Sequence, residues 1–358
     1  MDAVELAESL VSIPSHDDET AAGEYIQRWL EERTDAVVER DPTGNVVARR
    51  NAGSKPTVAL VGHHDVVPPD DGQVTEDGEY VLERRDGRLY GRGTADMKGS
   101  LAAAMVAFRD AKPDCELVVA SFVGEESGGV GCRAAIESGF APDYAIVGEG
   151  STGYSADGVT DVVIAHKGRR GLSVISEGAT AHASEPKKGE NAIYKASDAI
   201  GNLRNIDPPT AEVLGHDVEG SVTVTEIDGG SAWNVVPDRC SITVDERTVP
   251  DDRIDFESLG GIDGVSVRVD DELPPMACDD EAFATAVVSA ADSVQVGTPK
   301  RVVKPHATDA GWLTALAGTS CVVCGAAEQG EGHTASESVS LAAIERCVEI
   351  YRRAAESM

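Results

Sequence analysis

TVALVGHHDVVP (57–68) is the stretch on which the fold turns. A short β-rich apolar run meets a glycine, and polar residues follow at once, which predicts a buried strand that ends at a functional loop. The pattern recurs in VVAR (46–49), ELVVASFVG (116–124) and YAIVGEG (144–150). Between these runs, LAESLVSI (6–13), AGEYIQRWLEE (22–32) and KGSLAAAMVAFRDA (98–111) have helical spacing. Strands alternating with helices predict an α/β fold. Its sheet should be mostly parallel and covered by helices, with sites at the C-terminal ends of the strands.

Beyond about residue 167 the texture changes. LSVISEG (172–178), SVTVTEI (221–227) and RCSITVDER (239–247) alternate apolar and polar residues, as half-exposed antiparallel strands do. NAIYKASDAIGNL (191–203) adds a helix, and DFESLGGI (255–262) is expected to add a second. From DDEAFATAVVSAAD (279–292) the helix–strand alternation resumes, ending on LAAIERCVEIYRRAAE (341–356). The expected organisation is a catalytic domain in two parts, 1–167 and 274–358. A smaller α/β domain with an antiparallel sheet, 168–273, is inserted between them.

At 358 residues, the chain is long enough for two domains. It carries 63 acidic and 31 basic residues, a formal charge of −32. That field repels nucleic acid and anionic membranes, and neither is expected as a partner. The acids are spread through helices and loops, as in ETAAGEYIQRWLEERTDAVVERD (19–41); Arg outnumbers Lys and aromatics make up only 4%. A solvated, halophilic-type surface accounts for this better than a functional acidic patch. No run approaches the roughly 18 apolar residues of a membrane span, and MDAVELAESL (1–10) lacks the basic-then-apolar form of a signal peptide. The expected location is the cytoplasm. The seven cysteines are an odd number. The CVVC spacing of Cys321 and Cys324 lies in a buried-strand pattern, which argues for packing and against disulfides or a zinc site.

On a strand, residues i and i+2 share a face, so His63 and Asp65 project the same way at the strand's end. A carboxylate there fixes the tautomer of a ligating imidazole, although a His-x-Asp pair also occurs on ordinary surfaces. His64 points the other way and reads as structural. In GRGTADMKG (91–99), Asp96 just precedes a helix; a cap and a metal ligand are equally open. In VGEESGG (123–129), Glu125 and Glu126 end an apolar strand. A dication would relieve their repulsion, with one ligating and the other free to take a proton; a solvated pair in a turn is the alternative. Glu149 ends the next strand, and His333 stands in a Gly-flanked loop before the last helix. Two histidines and three carboxylates (His63, Asp96, Glu126, Glu149, His333) on one sheet edge suit two zinc ions, or cobalt in their place.

With these motifs in order, the chain resembles the zinc hydrolases that include aminoacylase, carboxypeptidase G, acetylornithine deacetylase and succinyl-diaminopimelate desuccinylase. SIPS (12–15), KGRRG (167–171), ATAHASEPKKGENAI (179–193), NVVPD (234–238) and GHT (332–334) complete the likeness, which covers essentially the whole chain. The resemblance implies that Asp96 bridges the two ions, with His63 and Glu149 on one and Glu126 and His333 on the other. It makes Asp65 the partner of His63 and Glu125 the general base and acid. It implies that His182, from the inserted lid domain and in dimeric members from the neighbouring subunit, polarises the scissile carbonyl. Asn234, Arg247 and Thr308 match substrate-contacting positions. Two departures stand out: His64 where Thr or an apolar residue is usual, and His306 in KPHATDAGW (304–312) where small residues are usual. They bear on acyl-group preference rather than on the metal chemistry.

The expected activity is therefore cleavage of the amide bond of a small N-acyl amino acid by a homodimer joined through the lid. KGRRG resembles the desuccinylase branch, which implies succinyl-diaminopimelate, in lysine biosynthesis, and its basic residues suit a multiply anionic substrate. Acetylornithine comes second, and a dipeptidase or carboxypeptidase third. A binding protein that has lost catalysis would lack Glu125 or a ligand, and all are present.

Overall fold

The strand Thr57–His63 is buried along its whole length, and so is Glu116–Phe122 beside it. Strands buried on both faces need helices above and below them, and this sets the architecture. The computed structural model describes residues 1–358 apart from the side chains at 257 and 258. It contains a nine-stranded mixed sheet. Four central strands run parallel in the order Glu116–Phe122, Thr57–His63, Tyr144–Val147 and Ser320–Val323. Val46–Arg50 and Val37–Arg40 extend one edge in antiparallel pairings.

Alternate residues of the central strands supply one core. Ala59, Val61, Val118, Ala120, Phe122, Val147 and Val323 pack there with Cys132, Phe140, Ala310 and Leu313. The helix Gly99–Asp110, nearly all buried, packs against Ala3–Val11 and Leu341–Glu356. Cys321 and Cys324 are buried at or just beyond the last parallel strand, and all seven cysteines are free thiols.

The chain divides into two units. The larger comprises Met1–Ala165, Met276–Lys304 and Thr308–Met358. The smaller is His166–Pro275, and Pro305–Ala307, a stretch expected in the larger domain, groups with it. Its antiparallel sheet has the order Ser221–Gly229, Arg239–Arg247, Arg169–Glu177, Val265–Leu273. The amphipathic helix Ala192–Leu203 places Ala192, Ala196, Ala199 and Leu203 on Leu172, Val174, Ile242 and Val244. Asn191 caps it, its side chain accepting the N–H of Ile193. The second helix expected over 255–262 is only a 3-10 stretch, Phe256–Gly261. Consecutive Gly260 and Gly261 remove the propensity that a longer helix needs. No helix among the described residues is long and apolar enough to cross a membrane.

Candidate metal centre

Each site residue is carried by an element whose sequence explains its position. His63 is the last residue of its strand, and the loop beyond supplies Asp65. Nδ1 of His63 lies 3.0 Å from the backbone oxygen of Asp65 and 3.3 Å from its Oδ1. Asp65 Oδ2 accepts the N–H of Glu126 at 3.0 Å. The aspartate thus joins the histidine to the end of the neighbouring strand. His64 turns to the other face, where Nδ1 meets Ser121 Oγ at 2.7 Å, and burial pushes its pKa down to about 3. It is a neutral structural residue, as expected.

Asp96 sits in an irregular turn ahead of the helix Gly99–Asp110, with φ/ψ of −126° and 94°. Two glycines allow its close approach to the sheet. A Cβ on Gly62 or Gly148 would come within 2.6 or 2.7 Å of the Met97 methyl group. Met97 thus rests on both strand ends, and the neighbouring Asp96 lies over the parallel strands. Gly332 does the same for the late loop, since a Cβ there would lie 3.1 Å from Asp96 Oδ2.

The outcome is a shared carboxylate. Asp96 Oδ1 is 3.1 Å from His63 Nε2, which is also 3.0 Å from Glu149 Oε1. Asp96 Oδ2 is 3.1 Å from His333 Nε2, which is also 2.8 Å from Glu126 Oε1. In each triad, His63–Asp96–Glu149 and Asp96–Glu126–His333, the potential ligand atoms lie within 4.8 Å of one another. Nitrogen and oxygen donors converging in two groups around one two-oxygen carboxylate fit a pair of divalent transition ions. All five candidate ligands expected from the sequence come together, and Glu125 precedes Glu126 in the turn that follows the strand Glu116–Phe122.

The protonation equilibria follow from this crowding. Burial lowers the His63 pKa, but Asp65, Asp96 and Glu149 outweigh it and raise the value well above the ordinary one. Hydrogen bonds to Asp96 and Glu126 raise His333 to about 10. Burial opposes ionisation of Asp96, yet the two imidazoles pull its pKa below the usual carboxylate range. Burial, with Asp309, Glu149 and Asp96 nearby, raises Glu125 well above an ordinary glutamate.

Three further charged residues stand at the site: Lys304, Asp309, which the likeness to the substrate loop keeps beside Thr308, and Glu337. Buried Lys304 places Nζ 3.5 Å from Glu149 Oε2 and donates to the Gly150 carbonyl at 3.0 Å. Asp309 is buried, and that burial with the surrounding carboxylates pushes its pKa up to about 7. Glu337 accepts the N–H groups of Ala95 and Asp96. An acidic residue close after a candidate histidine ligand was the available signal for Glu337.

Other expected residues occupy different surroundings. In the smaller unit, His182 pairs with Val235 in a short antiparallel ladder, which sets it beside Asn234. His182 is exposed, and its Nδ1 lies 2.7 Å from Ser184 Oγ. Arg247 makes two hydrogen bonds to Asp245, at 2.7 and 3.1 Å. Thr308, in the larger unit, is buried and caps a short helix through the Ala310 N–H. The basic KGRRG stretch needs a correction. Arg170 is buried in an ion pair with Glu246 at 2.6 Å, and Arg169 pairs with Asp245 and Asp271. Neither is a free cation: Glu246 stands opposite Arg170, and Asp245 and Asp271, which stand opposite Gly171, both reach Arg169.

Residues 59–357 match the family described as peptidase family M20/M25/M40. The chain belongs to that family. It is accordingly a metallohydrolase of the M20 type, and the mixed α/β fold agrees with solved structures. Aminopeptidase PepT from Bacillus cereus is 19% identical with a TM-score of 0.78, covering 99% of this chain and 97% of its own. The M20 metallo-carboxypeptidase Sso-CP2 from Sulfolobus solfataricus is 16% identical with a TM-score of 0.78, covering 99% of both chains. The YXEP protein of Bacillus subtilis, described as a dinuclear metal-binding M20 peptidase, is 16% identical with a TM-score of 0.69, covering 99% of this chain and 97% of its own.

Proposed function

We propose that this M20 protein is a two-zinc amide hydrolase that deacylates small N-acyl amino acids. The observation that carries the reading is the Asp96 carboxylate, whose two oxygens face two different imidazoles at 3.1 Å each. His63 and Glu149 would hold one ion and Glu126 and His333 the other, with Asp96 common to both. When bound, the ions supply Lewis-acid activation of water and of the scissile carbonyl.

The remaining work falls to the chain. Asp65 accepts the Nδ1 proton of His63, which fixes the tautomer that leaves Nε2 free to ligate. Glu125 takes a proton from the attacking water and returns it to the leaving amine. Its burial favours the protonated form, which suits a group that must hold that proton between the two steps. His182 donates a hydrogen bond to the carbonyl oxygen, a type of interaction worth roughly 3–4 kcal/mol per donor. It is supplied by a second copy, on the likeness to dimeric relatives. Asn234, Arg247 and Thr308 contact the substrate, with Arg247 sharing its guanidinium between Asp245 and a carboxylate.

For substrate, succinyl-diaminopimelate stands first on the likeness of the KGRRG stretch, acetylornithine second and dipeptides third. The ion pairs of Arg169 and Arg170 weaken the charge argument for the succinyl group. The −32 charge supports a protein adapted to high salt, and seven free thiols suit a reducing cytoplasm. The test is an assay of zinc-loaded, chelator-stripped and zinc-restored protein on N-succinyl, N-acetyl and dipeptide substrates. Chelation should abolish turnover and zinc restore it. Full turnover in metal-free protein, or no cleavage of any acylated amino acid, would sink the reading.

A further inference from the structure

The larger unit holds a fully buried ion pair to which the mechanism gives no task. Arg92 and Glu337 meet at 2.7 Å, with side-chain exposures of 2% and 0%. We propose that Glu337, held by Arg92, is the positioning residue that fixes Asp96 between its two imidazoles and ties it to the loop carrying His333. This rests on the two-metal reading.

The local backbone creates the need. Asp96 and Met97 leave helical geometry, at φ/ψ of −126°/94° and −134°/30°, so the amides of this turn cannot all join a regular helical ladder. Oε1 of Glu337 accepts both the Ala95 N–H at 2.9 Å and the Asp96 N–H at 3.1 Å. The acceptor is thus bonded to the very residue whose carboxylate both metal triads share. Oε2 turns the other way, to Arg92 Nη1.

The backbone of Glu337 completes the tie. Its carbonyl accepts the Gly91 N–H at 3.1 Å, and its own N–H donates to the Thr334 carbonyl at 3.2 Å. One residue thereby spans the segment of Asp96 and the segment of His333, the two ligands that meet at 3.1 Å. Stability alone is a poor reason to keep the pair. A buried ion pair is often no better than an apolar one, and Arg92 Nε has no partner among the described residues. Arg92 also reaches Asp70 Oδ2, but only at 3.4 Å. What the pair adds over two apolar side chains is an oriented acceptor under Asp96.

The test titrates metal-stripped protein with cobalt(II), reading stoichiometry and affinity by calorimetry and geometry by visible absorption. Two double variants remove both charges together, which avoids stranding one of them. Arg92→Met/Glu337→Gln keeps an amide oxygen for the Ala95 and Asp96 amides; Arg92→Met/Glu337→Leu removes it. Wild type and the Gln form should bind two ions alike. The Leu form should lose affinity for the ions that share Asp96 by about 10–100-fold, the usual effect of outer-shell partners, with altered absorption bands. A Leu form that is folded by near-ultraviolet circular dichroism and loads both ions normally would overturn the proposal. Equal losses in the Gln and Leu forms would overturn it too. Should the Leu form not fold, Glu337→Asp decides: it keeps the charge but withdraws the acceptor, and unchanged affinity and spectrum would refute the proposal. Failure of wild type to take up two ions would instead remove the two-metal reading, and this proposal with it.

Discussion

The carboxylate of Asp96 and the imidazole of His333 meet at 3.1 Å through Oδ2 and Nε2. The same Nε2 is 2.8 Å from Glu126. Without a cation, a proton on His333 is what reconciles the two carboxylates, and hydrogen bonds to them raise its pKa to about 10. A metal ion needs the neutral imidazole, so ion and proton compete for one lone pair.

Metal uptake at pH 8 should therefore release protons. Below a pKa of about 10, affinity for the His333 site should rise about tenfold per pH unit, one proton being displaced. Calorimetry in two buffers of different ionisation enthalpy measures the release, and a heat independent of buffer would count against it. In the metal-free protein the sign is opposite. A His pKa raised by folding stabilises fully below the unfolded value and ceases to do so as pH rises through about 10.

Glu125→Gln should separate chemistry from binding. Turnover should fall by about 10²–10⁴-fold, the typical worth of general acid–base catalysis, while two ions remain bound. Glu126→Gln should lose the ion shared with His333. If elemental analysis finds the ion missing from the first variant and retained in the second, the two roles are reversed.

Thermal stability should increase as salt rises from about 0.1 M towards 1 M. The formal charge is −32, and screening shortens from about 10 Å to 3 Å over that range. A melting temperature that stays flat or drops would contradict a surface adapted to high salt.

Mixing inactive His182→Ala with inactive Glu125→Gln should restore activity as subunits exchange. One site of each heterodimer would then carry both defects and the other neither. In the smaller unit, Ser221–Gly229 is an edge strand on which Ile227 is 56% exposed, and such an edge can pair with a second copy. Exchange proved by mass spectrometry with activity still at baseline would exclude a His182 acting in trans.

The sequence by itself determined the strand-and-loop layout and nominated the candidate ligands. Strand ends are written locally, as apolar β-rich runs broken by glycine, so His63, Glu126 and Glu149 could be set at one sheet edge. The opposite orientations of His63 and His64 likewise follow from the two-residue period of a strand. Tertiary structure alone decided which charges meet. That depends on strand order and on which glycines let segments approach, and neither is encoded over a few neighbouring residues. Asp96 is the shared carboxylate because its turn lies between the strand end that carries His63 and the late loop that carries His333, with Gly332 close against it. Arg170, a free cation by sequence, was neutralised because strand pairing sets Glu246 opposite it. Glu337, an ordinary acid by sequence, became part of the centre because its side chain reaches amides that no helix could satisfy.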